Sequence, residues 1–425
     1  MKLSIGNTLQ RLSQPVVRNI FYLFLVQAAT LLVPLVTLPW VLRALQPVAF
    51  GKFAFYQAIS QYFVIVVEFG FYLTATRRIA EIGSDLHERT SYFWTVQSAK
   101  AIIAVLTTIL AAAACLIFPL PEKDALLFFA SLVTIIGTVL TPMWLFAGIE
   151  RMGLISISVI AARLAMIAPT LLYVRTPNDA WLAAIINSSG NILAGLIATS
   201  LIYRNRLIPN WYKPKLQEII EAYRDAWHLF LSNSATSLYA AANPVLLSAV
   251  NSTLQVGLFS AADRIRQISL GPISPLSSAL YPYISRAMSH NRENALSLAR
   301  RLLLMFGSLM AIVTLVMFLS APLLVRIIMG PGYESAISVL RIMALIPFLV
   351  GLNTCLGMLI MLPLGMIRQY SRLLLGCGFA NLGLLAVLGG WFGAIGAACA
   401  LVLTETAVVV AMFIALYRHG VRLTH

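Results

Sequence analysis

"FLVQAATLL", Phe24 to Leu32, is answered 206 residues later by "FLSNSATSL", Phe230 to Leu238. Phe, Leu, Ala, Thr and Leu are identical between the two stretches, and Gln27 stands opposite Asn233. Carried further along the chain, the same offset aligns Gly51, Phe53, Ile59 and Gln61 with Gly257, Phe259, Ile265 and Gln267. Two matches at one offset mark an internal duplication, and a duplicated chain is read as two copies of one architectural unit.

What has been duplicated is membrane-spanning. Of 425 residues 60% are hydrophobic and only 11% charged, with a mean hydropathy of +0.87, which excludes water-soluble globular classes. Twelve apolar stretches approach or exceed the roughly 20 residues that cross a bilayer as helix. They lie near 20–42, 53–75, 92–118, 125–148, 153–174, 180–202, 227–249, 256–284, 301–325, 338–362, 371–389 and 393–417. The fold expected is therefore an all-α polytopic membrane protein of about twelve transmembrane helices. An offset that covers six spans brings both halves into the membrane from the same side, so two six-helix lobes should be related by a pseudo-twofold axis along the membrane normal. The expected division is an N-terminal lobe at 1–202, a cytoplasmic linker at 203–226 and a C-terminal lobe at 227–425. Within the linker, the stretch from about Lys215 to Arg224 reads as an amphipathic interfacial piece. Pro34 and Pro39 in the first span and Pro272, Pro275 and Pro282 in the eighth should interrupt their helices. Such breaks survive in lipid only where protein or a wet cavity satisfies the freed backbone groups.

Charge by loop sets the orientation. The termini and even-numbered loops hold twenty Lys and Arg residues and the odd loops five, so both ends are expected in the cytoplasm. Much of the net charge of +15 is this topogenic signal, and no nucleic-acid partner is expected. Cys115, Cys355, Cys377 and Cys399 sit in apolar runs without paired spacing, and the five histidines lack metal-ligand spacing. Neither a disulfide framework, a metal nor a cofactor is implied.

Charge inside the spans is costly, and by default it marks function. "FSAADRIRQ", Phe259 to Gln267, places Asp263, Arg264 and Arg266 about 12 to 15 Å into the eighth span. Asp263 and Arg266, three residues apart, share a helix face and can pair, whereas Arg264 and Arg266 point to opposite sides. One of the two arginines should face a cleft between the lobes. Together with Arg163, and with Lys100 as a further cation, it would make that cleft positive, suited to phosphate, which a guanidinium meets with a planar fork of donors. Arg266, Arg163, Arg264 and Lys100 are thus the substrate-binding candidates, Arg266 first. Arg341 is shallow and reads as snorkelling to the interface. The intramembrane acids Glu68, Asp263 and Glu405 are candidates for coupling to an ion gradient, since burial raises a carboxyl pKa toward physiological pH.

Four segments resemble one family. "EFGFYLTATRRIAE" (Glu68 to Glu81), "TPMWLFAGIERM" (Thr141 to Met152), "GLFSAADRIRQ" with "SALYPYIS", and "GPGYESAISVLRIMALIPFL" are similar, in this order, to segments of the Wzx-type O-antigen and polysaccharide flippases. That family shares a superfamily with the MATE drug exporters and the peptidoglycan lipid flippase. Ala147 departs from it where Gln is frequent, and Tyr283 where Arg often follows Tyr-Pro. The resemblance implies an inner-membrane protein that moves an undecaprenyl-diphosphate-linked oligosaccharide from the cytoplasmic to the periplasmic leaflet by alternating access. It further implies contact with membrane lipid, and it allows contact with other polysaccharide-assembly membrane proteins. Coupling to a proton or sodium gradient is permitted but not demanded. Two rivals are a MATE-like antiporter, which would want an acidic or aromatic cleft, and a polysaccharide polymerase or ligase. The enzyme would need a sizeable periplasmic loop, and the longest candidate, Arg326 to Ser338, is short.

Overall fold

The computed structural model describes residues 14–271, 273–290 and 292–421, and among them there are helices and no strand. This follows from the solvent, because in hydrocarbon a helix satisfies every backbone group within its own segment. The first helix, α1 (Gln14–Glu68), runs unbroken past Pro34 and Pro39, where interruptions were expected. It breaks instead at Gln46, with φ 59° and ψ 166°. Pro47 follows it, and a proline disfavours helical ψ in the residue before it, which accounts for the extended ψ but not for the positive φ. Gln46 carries the strain of a positive φ, steadied by its own Nε2, which donates to the Arg43 carbonyl at 3.0 Å.

The chain continues through α2 (Phe71–Ile82), α3 (Leu86–Ile117), α4 (Glu122–Leu132), α5 (Thr134–Leu140), α6 (Met143–Gly148), α7 (Met152–Ala165), α8 (Ile167–Tyr173) and α9 (Ala180–Arg204). Asp85 caps α3 by accepting from the backbone N–H groups of Glu88 and His87 at 3.0 and 2.8 Å. Those two donors hold its carboxyl below the usual range. The second half comprises α10 (Leu216–Val250), α11 (Thr253–Leu270), α12 (Ile273–His290), α13 (Arg292–Leu324), α14 (Ala336–Met343), α15 (Ile346–Thr354) and α16 (Ile367–Arg418). Of the prolines expected to break the eighth span, Pro272 lies outside the described residues. Pro275 and Pro282 fall within α12.

Among the described residues, eight helical segments have the length and apolarity to cross a membrane. Two of them, Leu35–Ile82 with 48 residues and Ile367–Arg418 with 52, are long enough for two crossings of a core about 30 Å thick. The first is broken at Gln46 and again at Phe69 and Gly70, between α1 and α2, and the second at Gly393 (φ 58°, ψ −132°). They cover the second expected span with the end of the first, and the eleventh with the twelfth. The expected seventh span lies on α10 and the eighth on α11 and α12. The chain is a polytopic helical membrane protein.

Two compact units emerge, one formed by the described residues up to Val41 with Tyr56–Leu238, the other by Leu42–Phe55 with Tyr239 onward. The first unit keeps the beginning of α10. The stretch 216–224 forms the first turns of α10, which runs without a break from Leu216 to Val250. Its early turns join the core built around Phe71, Phe93 and Trp144 through Ile219, Ala222 and Ala226. Tyr223 donates its hydroxyl to the Ala99 carbonyl at 2.7 Å, and Phe230 stacks on Phe69 with centroids 4.5 Å apart.

In the second unit the duplicated segment meets itself. A methyl group on Gly51 would collide with the Thr253 carbonyl, and one on Gly257 with the Pro47 carbonyl. Pro47 and Thr253, like Gly51 and Gly257, are 206 residues apart, so the contact is reciprocal and locally twofold. Glycines let two backbones approach this closely, as small residues do in membrane helix pairs generally. The same segment is clamped by the Val325–Met329 π-helix and the turn after it. Arg43 donates to the Ile327 carbonyl, and the fully buried Tyr333 donates to that of Leu42 at 3.3 Å.

Candidate functional site

The first unit places Glu68 at the last turn of α1, followed by Phe69 and Gly70 with φ of 43° and 75°. Gly70 is required there, because a side chain would press on the backbone of Phe230 and Ala226. Lys100, on α3, donates from Nζ to Glu68 Oε1 at 2.8 Å and to the Thr138 carbonyl at 3.0 Å. The second acceptor is available because residue 142 is proline, and the N–H that would return to Thr138 in a continuing helix does not exist. One turn earlier on α3, Gln97 Nε2 serves the neighbouring Val139 carbonyl at 2.9 Å. Gln97 and Lys100 therefore complete the end of α5 that "TPMW" breaks open. The lysine side chain is fully buried while that of Glu68 is 36% exposed. Arg163, in the last turn of α7, is half-buried and has no hydrogen bond or ion pair among the described residues.

In the second unit Asp263 and Arg266 pair across one turn of α11, Nε to Oδ1, at 2.7 Å. Gln267 donates to the other carboxylate oxygen at 2.6 Å. Both ionic side chains are mostly covered, at 17% and 15% exposure. Arg264, between them in sequence, is exposed and has no carboxylate partner among the described residues. Of the two arginines, the unpaired one is Arg264. Glu405, on α16, accepts one long hydrogen bond from Asn353 Nδ2 at 3.4 Å and lies within electrostatic reach of Arg266.

A polar chain absent from the sequence expectations runs beside it. Asn381 donates to Asn243 Oδ1 and accepts from the Thr404 hydroxyl, both at 3.1 Å, and all three side chains are buried. The signal available was an amide in each of two apolar runs, the seventh and eleventh expected spans. Asn251 and Gln255 act on the backbone instead. Asn251 donates to the Gly389 carbonyl at 2.9 Å, and Gln255 accepts from the Ala394 N–H at 2.9 Å, which together hold the break at Gly393.

The membrane-embedded carboxylates Glu68, Asp263 and Glu405 thus each have a donor, whereas Arg163 and Arg264 lack an acceptor among the described residues. Such an arrangement favours an anionic ligand over a cationic one, since an unpaired guanidinium gains most from a phosphate or carboxylate.

Residues 16–288 match the family described as "Polysaccharide biosynthesis protein". A protein of Escherichia coli (strain K12) that bears the name "Putative O-antigen transporter" is 35% identical over 388 residues, covering 91% of this chain and 93% of its own. One of the same name from Shigella dysenteriae is 29% identical over 93% of this chain and 98% of its own. Two solved structures share the fold. An inward-facing multidrug resistance MATE family transporter of the MOP superfamily superimposes with a TM-score of 0.69 at 16% identity, over 92% of this chain and 94% of that one. The lipid II flippase MurJ, in an inward closed conformation, gives 0.70 at 14% identity, over 93% and 87%.

Proposed function

The chain belongs to the polysaccharide biosynthesis protein family, and from that premise we propose that it is a flippase for lipid-linked saccharide. The substrate in this reading is an undecaprenyl-diphosphate-linked oligosaccharide, an O-antigen repeat unit or a related glycan. It moves from the cytoplasmic to the periplasmic leaflet of the bacterial inner membrane, with both termini of the protein cytoplasmic. The observation that carries the reading is that Arg163 and Arg264 have no acceptor among the described residues while Glu68, Asp263 and Glu405 each have a donor.

A diphosphate offers the acceptors those guanidinium groups lack, and charge-assisted bidentate bonds offset its transfer out of water. Arg266 and Lys100 are second-line ligands, because Asp263 and Glu68 already occupy them. A cationic path lined this way, open alternately to each face, also accounts for direction. Moving negative charge out of a negative interior is favoured by about 2.3 kcal/mol per charge per 100 mV. Ion coupling, where it operates, falls to Glu68, Asp263 and Glu405. Glu405 is the readiest of the three, since a single long hydrogen bond holds it.

A MATE-like exporter of cationic drugs has the same fold but would need a free carboxylate rather than a free guanidinium. The deciding experiment reconstitutes the purified protein in liposomes with a lipid-diphosphate-linked oligosaccharide and follows access of the glycan to an external lectin. Protein-dependent translocation is expected. Equal lectin access in protein-free liposomes, or transport of a lipophilic cation in its place, would overturn the reading.

A further inference from the structure

A groove of about 600 Å³ opens on the outside of the second unit, lined by α13, α14, α15 and one residue of α16. Its walls are apolar, with Leu315, Phe318, Leu345 and Phe348 among them, and its polar groups are Thr314 and Arg341. Thr314 is already engaged, since its hydroxyl oxygen accepts from the Phe348 backbone N–H at 3.3 Å. Arg341 is exposed and lies over the Phe318 ring, 5.6 Å from its centroid, with no carboxylate partner among the described residues. The aromatic face orients the guanidinium at the wall of the groove. Its volume falls within the range of about 300–1,000 Å³ that holds small molecules and cofactors.

From this geometry we infer that the groove is a binding site for one anionic phospholipid of the surrounding bilayer, its acyl chain in the apolar cleft and its phosphodiester on Arg341. Charge count selects this occupant. One guanidinium and no second cation in the lining match the single negative charge of a phosphatidylglycerol headgroup, whereas a diphosphate would leave charge uncompensated. The lining offers no carboxylate to the ammonium of a zwitterionic headgroup. An arginine that merely snorkels would meet any headgroup equally, so selectivity separates the two cases. The site is independent of what the protein transports.

The test is native mass spectrometry of delipidated full-length protein titrated separately with phosphatidylglycerol, phosphatidylethanolamine and undecaprenyl phosphate. One phosphatidylglycerol should bind about fivefold more tightly than phosphatidylethanolamine, the increment of one cation facing an anionic headgroup. Arg341→Gln should equalise the two lipids, and Arg341→Lys should keep part of the preference. Ala311→Trp, which fills the groove from an exposed position, should remove the bound lipid. Monodisperse elution and an unchanged melting temperature certify each variant. A preference that survives Arg341→Gln, or phosphatidylglycerol binding that survives Ala311→Trp, overturns the site. Undecaprenyl phosphate binding more tightly than phosphatidylglycerol, with that advantage lost in Arg341→Gln, overturns the choice of occupant.

Discussion

Lys100 and Arg266 are both paired with a carboxylate inside the membrane, at 2.8 and 2.7 Å, but the two pairs are built in different ways. Arg266 and Asp263 sit one turn apart on a single helix and are covered to nearly the same degree. Lys100 and Glu68 come from different helices, and the cation is fully buried while the acid reaches the surface. The first pair is set by helix geometry alone and would form wherever that helix forms. The second depends on packing: Lys100 reaches Glu68 from another helix, and its Nζ is held there by a further bond to the Thr138 carbonyl, whose helical N–H partner Pro142 lacks. Intramembrane charge is therefore not one kind of signal. Some of it completes the scaffold, whereas Arg163 and Arg264 have no acceptor among the described residues, and it is these two that the proposed function assigns to the diphosphate.

The largest expected effect tests that asymmetry. Glu68→Leu leaves an unpaired buried ammonium and should cost about 3–5 kcal/mol, seen as a steep fall in detergent melting temperature. Lys100→Met should cost less, because the acid it strands is partly exposed, and the double variant should resemble Lys100→Met. Equal penalties for the two single variants would show the pair to be as symmetric as Asp263–Arg266. The glycine contact comes next. Gly51→Ala and Gly257→Ala should each destabilise by about 1–3 kcal/mol, and by matching amounts, because each methyl meets the equivalent carbonyl of the other copy. Within the local pair, Arg266→Gln strands a covered Asp263 carboxylate that keeps the Gln267 donor and should cost about 1–3 kcal/mol, measured by the same melting assay. Smallest is Gln46→Gly, which removes a strained positive φ and should stabilise by about 1 kcal/mol after the added entropy of glycine.

The same contrast marks how far the sequence could be read. The Asp263–Arg266 pair is legible because a three-residue spacing fixes it. Lys100–Glu68 is not, since no acid lies near Lys100 in sequence and the partner arrives through packing. Composition and the apolar stretches exposed the helical membrane architecture, and the duplication aligned Gly51 with Gly257, but not that these glycines touch. Prolines misled within the first span. Pro34 and Pro39 continue a helix, and the break falls at Gln46, where Pro47 acts on its predecessor. The amides of Asn243 and Asn381 carry no motif at all and become a site only when distant helices bring them together.

The most direct measurement is flipping of a lipid-diphosphate-linked oligosaccharide in proteoliposomes containing wild-type protein, Arg264→Gln or Arg163→Gln. Loss of a charge-assisted contact is worth about 1.5–3 kcal/mol, so each variant should flip roughly ten- to a hundredfold more slowly, with insertion and melting temperature unchanged. Wild-type rates in both variants would contradict the assignment of the unpaired arginines to the diphosphate.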